Sequence, residues 1–297
     1  MKQSRRSMIK NIALSASALA VTPVSVLASC NVTGEVTEKI NKLKGNINHS
    51  VSRWTFGYLS MDALCKAVKE IGFNAIDLVG PKDWSTLQKH GIYSSMCYTA
   101  GDNNLYNGLN NPLYHENLIK EYLEVIPIMA KAGYKNLICF SGARKGMDDE
   151  TGMKNCKEAL DKILPLAEKN GVTMIMEILN SKIDHKDYMC NTVEWGAELC
   201  KQINSENFKL LFDIYHVQIQ EGDIIRNIRD YHQYIAHYHT GGIPGRNEIN
   251  NTQELYYPAV MKAIVDTGYK GYVAQEFIPT YPDKLDSLRE AIKICDV

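Results

Sequence analysis

Three carboxylates and an imidazole stand at the ends of apolar runs in this chain. Glu177 closes Thr173-Met174-Ile175-Met176, Asp213 closes Leu210-Leu211-Phe212, His239 follows Ile235-Ala236-His237-Tyr238, and Glu276 follows Tyr272-Val273-Ala274-Gln275. A buried charge without a partner is expensive or neutralises, so each group needs compensation. One acid at a strand end usually caps the next helix or joins an ion pair. Four such groups on four successive runs point instead to a shared partner. Three carboxylates with one imidazole suit a hard or borderline divalent cation, Mn²⁺ or Mg²⁺, better than a thiolate-seeking one. His237 has the same strand parity as His239 and is the other candidate, but His239 lies nearer the strand end.

To bring four strand ends to one ion, the strands must run parallel and end at a common mouth. From Ile47 onward, short apolar or β-branched runs alternate with helical patterns, as in repeated βα units. Eight strand candidates can be read: 48–56, 75–79, 92–99, 136–141, 173–179, 209–216, 235–240 and 271–278. Helices are expected between and after them, among them 61–71, 113–132, 153–169, 192–203 and 257–266. Several end in a Gly that leads into a strand (Gly72, Gly91, Gly133, Gly171, Gly268), the residue that takes a left-handed helix end without strain. Eight units in about 250 residues predict an α/β fold, a single (β/α)8 TIM barrel over 47–297, with chemistry where strands run into the following loops. A doubly wound sheet is the other candidate, but no G-x-G-x-x-G follows the first strand. The Asn/Gly-rich stretch 101–112 after the third strand could cover the site or be an ordinary surface loop.

The composition fits a globular protein: of 297 residues 45% are hydrophobic, and 33 bases against 34 acids leave a formal charge of −1. No basic block provides a footprint for nucleic acid. Eight cysteines at 30, 65, 97, 139, 156, 190, 200 and 295 form no CxxC, and several, Cys65, Cys139 and Cys200 among them, sit in apolar runs as small buried hydrophobes. The N-terminus reads differently. Ser4-Arg5-Arg6-Ser7-Met8-Ile9-Lys10 precedes an acid-free stretch, Asn11 to Leu27, in the manner of an export signal. The paired arginines resemble the twin-arginine pattern, and Leu27-Ala28-Ser29-Cys30 resembles a bacterial lipobox with Cys30 as the lipidated residue. An ordinary Sec signal and a soluble signal cut nearby are the alternatives. The stretch is too short and too rich in Ser and Ala for a permanent span.

The expectation is therefore an export signal (1–29), a polar lipidated tether (30–46) and a periplasmic, membrane-anchored catalytic barrel (47–297). Removing 1–29 takes away Lys2, Arg5, Arg6 and Lys10 and no acid, so the formal charge falls from −1 to −5. Cys30→Ala should move the protein from the membrane to the soluble exported fraction. Cell fractionation checks this: an unchanged membrane fraction removes the anchor, and a cytoplasmic parent protein removes the signal as well.

At these motifs the sequence resembles the sugar isomerase/epimerase superfamily of xylose isomerase-like barrels, and within it the hydroxypyruvate isomerases and ketose 3-epimerases. The resemblance covers nearly all of 47–297. It is carried by Phe212-Asp213-Ile214-Tyr215-His216-Val217-Gln218, like the family's D-x-Y-H-x-Q, by Gly242-Ile243-Pro244-Gly245-Arg246-Asn247-Glu248, by Gln275-Glu276-Phe277-Ile278-Pro279, and by Met176-Glu177-Ile178-Leu179-Asn180, like its E-x-x-N strand. It implies one metal ion on Glu177, Asp213, His239 and Glu276, with Glu177 and Glu276 exchanging protons with a small sugar or keto-acid. His216 and Arg246 would contact substrate oxygens, Trp54 would wall the pocket, and Glu248 would be a neighbouring partner or a solvated acid. Two departures bear on substrate. Hydroxypyruvate isomerases often carry Gln where this chain has His239, and the ketose 3-epimerases have a further acid where it has Ile183, with Asp184 beside it.

The chemistry implied is proton transfer next to a carbonyl through an enediolate, the reaction of an isomerase or epimerase. A lyase or dehydratase acting on a keto-sugar or cyclitol is the second reading, because an enediolate can expel a β-hydroxyl. An exported, non-catalytic sugar-binding lipoprotein is the third, although binding alone needs no matched pair such as Glu177 and Glu276. The only membrane contact expected is the lipid anchor, and the oligomeric state stays open, a homo-oligomer included.

Overall fold

Alternating strands and helices wind the chain into a parallel sheet whose strands all point their C-terminal ends to one side. The computed structural model describes residues 43–101 and 105–297. The expected export signal, Cys30 and the tether up to residue 42 lie outside the described residues. The strands are β1 (Asn48–Ser52), β2 (Ala75–Asp77), β3 (Tyr93–Ser94), β4 (Asn136–Cys139), β5 (Thr173–Glu177), β6 (Phe208–Asp213), β7 (Ile235–Thr240) and β8 (Tyr272–Gln275). They pair in the order β3-β2-β1-β8-β7-β6-β5-β4, all parallel. Beyond β3, Cys97 bridges to Leu137 of β4 through Cys97 N–H to Asn136 O (2.8 Å) and Ile138 N–H to Cys97 O (2.9 Å), so the two ends of the ladder meet. The result is a TIM barrel.

The helices are α1 (Met61–Ile71), α2 (Trp84–His90), α3 (His115–Lys131), α4 (Asp149–Asn170), α5 (Val193–Ile203), α6 (Ile214–Gln220), α7 (Ile224–Tyr231), α8 (Tyr257–Asp266) and α9 (Lys284–Cys295). Side chains set their limits. At α4, Asp148 accepts the Thr151 N–H (2.8 Å) and Gly171 ends the helix at φ +63°, where a Cβ would be strained. No helix of the described residues is long and apolar enough to cross a membrane.

The main core lies between sheet and helices, and a smaller cluster, Met96, Ile138, Ile175 and Leu211, fills the interior near β4–β6. Elsewhere the interior is polar, with Ser50, Ser52, Asp77, Ser95, His237 and His239 all buried. At the opposite end, Lys44 N–H donates to Asp296 Oδ1 (2.8 Å) and the Asn46 amide to Val297 O (2.8 Å), tying the entering chain to the end of the last helix.

Several strands are shorter than their apolar runs suggest. β1 stops at Ser52, so Trp54 sits on a 3₁₀ turn rather than on the strand. β6 stops at Asp213 because that side chain caps α6, which puts His216 on a helix and not on the strand expected over 209–216. β3 keeps two residues, and of the rest of 92–99 Cys97 alone forms isolated bridges, to Val79 and Leu137.

Candidate active site

The four expected ligands converge. Glu177 ends β5, Asp213 ends β6, His239 is next to last in β7 and Glu276 directly follows β8. One donor atom of each lies within 4.8 Å of the others, and all four residues are buried. Register explains the convergence: Asp213 pairs with His239, and Glu177 with Leu211 two residues before Asp213. His237 faces the same interior one layer deeper, where its Nε2 lies 3.0 Å from Asp77 Oδ2. The structure thus brings His239, not His237, to the three carboxylates.

Each carboxylate is held by more than the ion it could bind. Asp213 Oδ1 accepts the N–H groups of Tyr215 (2.8 Å) and His216 (3.3 Å), which leaves Oδ2 turned to the site. Glu276 Oε1 accepts from Trp54 Nε1 (2.6 Å) and Ser52 Oγ (3.3 Å). Arg246 reaches in from the β7–α8 loop. Its Nη2 donates to Asp213 Oδ2 (2.7 Å) and to Glu276 Oε2, its Nε donates to Glu276 O (3.1 Å), and its Cζ lies 4.7 Å from the Tyr215 ring centroid. His216 Nε2 lies 2.9 Å from Arg246 Nη1, and its Nδ1 lies 2.6 Å from Asn180 Nδ2, which also donates to Asp184 Oδ2 (2.7 Å). Arg246, His216 and Trp54 therefore all border the cluster, and Trp54, 50% exposed, edges the mouth.

Burial and charge push the acids apart. Burial raises Glu177 to about 7, reinforced by Glu276 and opposed by His239. For Glu276 burial also acts upward, but His239 and Arg246 outweigh it and hold the carboxyl below its ordinary value. Asp213 is held low in the same way by Arg246, His216 and His239 against its own burial. Burial lowers His239, yet Glu276 and Asp77 more than offset this and raise it, so positive charge is favoured at this point. Burial pushes His216 down to about 3, keeping it neutral.

A divalent cation fits this set. Three carboxylates and one imidazole nitrogen converge beside a single guanidinium. His239 Nδ1 is buried without a hydrogen-bond partner although Glu276 Oε2 is 2.5 Å away and Glu177 Oε1 3.5 Å away. With Nε2 engaged by Asp77, Nδ1 is the ring nitrogen turned to the carboxylate oxygens, and a cation displacing its proton would be held as metal-binding histidines hold theirs.

Sequence reasoning passed over Asp77, whose signal was the one used for its neighbours, an acid closing a short apolar run. It also passed over His185, whose ring packs edge-on against His216 at 5.0 Å, and no spacing marks that residue. Glu248 is neither solvated nor at the cluster. It accepts from Thr280 N (2.6 Å), Thr280 Oγ1 (2.8 Å) and Ser287 Oγ (2.7 Å), clasping the β7–α8 loop to the β8–α9 connection.

A family model described as xylose isomerase-like TIM barrel matches residues 65–295. A putative hydroxypyruvate isomerase of Xenopus laevis is 33% identical over 131 residues, 44% of this chain and 46% of that protein. D-psicose 3-epimerase of Ruminiclostridium cellulolyticum is 30% identical over 136 residues, 44% of this chain and 43% of that protein. The matched stretches thus span under half of these curated relatives. Among solved structures, an AP endonuclease, family 2, from Brucella melitensis superposes with a TM-score of 0.73 at 20% identity, covering 82% of this chain and 97% of that one, a likeness of fold alone.

Proposed function

The chain belongs to the xylose isomerase-like TIM barrel family, and from that premise we propose that it is a divalent-metal-dependent isomerase or epimerase of a small sugar or keto-acid, hydroxypyruvate isomerase-like in its chemistry. One observation carries the reading: two buried carboxylates from different strands, Glu177 and Glu276, share one centre with Asp213 and His239.

Glu276, kept ionised by His239 and Arg246, takes the proton from the carbon next to the carbonyl. Glu177 returns one to the other position or face. The two titrate as a pair because they share one environment. Arg246 and neutral His216 hold substrate oxygens, and Trp54 steadies Glu276 Oε1 while limiting water at the mouth. A bound Mn²⁺ or Mg²⁺ on Glu177, Asp213, His239 and Glu276 would supply Lewis-acid polarisation of the carbonyl and offset enediolate charge. Relatives named as an isomerase and as an epimerase support the reaction class. Export and lipid attachment at Cys30 belong to the same proposal as its location.

The test is turnover of a panel of ketoses, hydroxypyruvate and keto-glycosides in heavy water with Mn²⁺ present. Deuterium on the carbon next to the carbonyl, without loss of water, is the expected result. Water loss would make the protein a lyase, and tight binding with no exchange across the panel would make it a binder.

A further inference from the structure

We propose that Asp77, on β2, is a positioning residue that dictates which nitrogen of His239 faces the Glu177–Asp213–Glu276 centre, and thereby sets the affinity of that centre for a divalent cation. The inference rests on the metal-dependent reading above. β2 and β7 are not neighbours, since β1 and β8 lie between them, so the Asp77 side chain crosses the barrel interior to reach β7. It is fully buried there. Its Oδ2 lies 2.7 Å from His239 Nε2 and 3.0 Å from His237 Nε2, and its Oδ1 accepts from Ser95 Oγ (3.2 Å), which itself lies 2.6 Å from Ser50 Oγ.

An ionised carboxylate only accepts hydrogen bonds, so both imidazoles must present Nε2–H to it. A neutral imidazole that carries its proton on Nε2 has its lone pair on Nδ1. For His239 that is the atom turned to the centre, 2.5 Å from Glu276 Oε2, 3.5 Å from Glu177 Oε1 and 3.8 Å from Asp213 Oδ2. The competing arrangement is easy to name. With the proton on Nδ1, His239 would donate to Glu276 and have no lone pair to offer a cation. Without Asp77 the proximity of Glu276 favours that arrangement, and with Asp77 the proton is drawn to the far side of the ring. His237 and Ser95 serve the same end by fixing the two Asp77 oxygens.

The experiment compares the parent with Asp77→Asn and Asp77→Ala, and with Leu160→Ala as a destabilised control in α4, far from the mouth. Mn²⁺ affinity and stoichiometry are read by EPR of the free ion, and the His239 tautomer by long-range ¹H–¹⁵N correlation on metal-free protein at a pH high enough for the ring to be neutral. Outer-shell partners of metal-bound histidines set affinity by about 10- to 100-fold. Asp77→Asn, which keeps an acceptor and loses the charge, should therefore bind about tenfold more weakly, and Asp77→Ala about a hundredfold, with the His239 proton moved to Nδ1. Leu160→Ala should lose stability and keep its Mn²⁺ affinity. If Asp77→Ala does not fold, the isosteric Asn variant decides alone.

Parent-like affinity in the Asp77 variants, with Nε2–H retained, overturns the proposal and leaves the metal reading standing. A parent that binds no Mn²⁺ defeats the metal reading first and the proposal with it. Two ions per parent chain falling to one in Asp77→Asn would make Asp77 a ligand in its own right, and would equally overturn its positioning role.

Discussion

Glu276→Gln should lose turnover by about 10²-fold or more, the usual scale for a general acid or base, while retaining most of the Mn²⁺ affinity. The amide keeps an oxygen for the ion but cannot take a proton. Its NH₂ must face one of two donors, because Trp54 Nε1–H and Ser52 Oγ approach one side of the group and Arg246 Nη2 the other. Trp54 is half exposed and Ser52 can rotate its hydroxyl, so the amide nitrogen should settle on that side and leave the oxygen inward. Single-turnover kinetics in heavy water, together with Mn²⁺ titration, separate the two effects. Normal turnover by Glu276→Gln would refute the two-carboxylate mechanism for any substrate.

Asp213→Ala should reduce Mn²⁺ affinity by about 10²-fold or more, since it removes a ligand outright where loss of an outer-shell partner alone costs about 10- to 100-fold. This residue has two jobs, so two substitutions are needed. Alanine also removes the acceptor for the Tyr215 and His216 N–H groups, an N-cap worth about 1 kcal/mol of stability. Asp213→Asn keeps that acceptor and should melt close to the parent while still binding Mn²⁺ poorly. A calorimetric titration in which Asp213→Ala binds like the parent would make the ligand assignment wrong.

The site was largely legible in the sequence because a charge closing an apolar run is chemically conspicuous, and Glu177, Asp213, His239 and Glu276 repeat that pattern on consecutive strands. Parallel pairing then brings them together with little further information. What stayed hidden depended on contacts between distant positions. Asp77 closes a run of only three residues, and its partners His237 and His239 lie 160 and 162 positions along the chain. The end of β6 was misread because Phe212-Asp213-Ile214 continues an apolar run, and only the capping bonds show that the chain turns into a helix there. β3 was overdrawn because its strand-like composition is spent on isolated bridges that join the two ends of the barrel rather than on a ladder.

The β7–α8 loop that carries Arg246 is fastened at several points. Glu248 clasps Thr280 and Ser287, Ile278 N–H donates to Arg246 O (2.6 Å), Gly242 N–H to Asn247 O (2.8 Å) and Glu254 N–H to Ile243 O (3.0 Å). At Gly242 any Cβ would lie 2.2 Å from Glu248 O, so the turn admits no other residue without shifting. A loop fastened in this way travels with the barrel rather than opening as a lid. The ordering of this side of the mouth is complete when the chain has folded, and an arriving ligand does not bear it again. The adjustment left to it is rotation of exposed side chains such as Trp54, over within nanoseconds. A slow, ligand-dependent phase in stopped-flow binding would have to originate elsewhere on the rim.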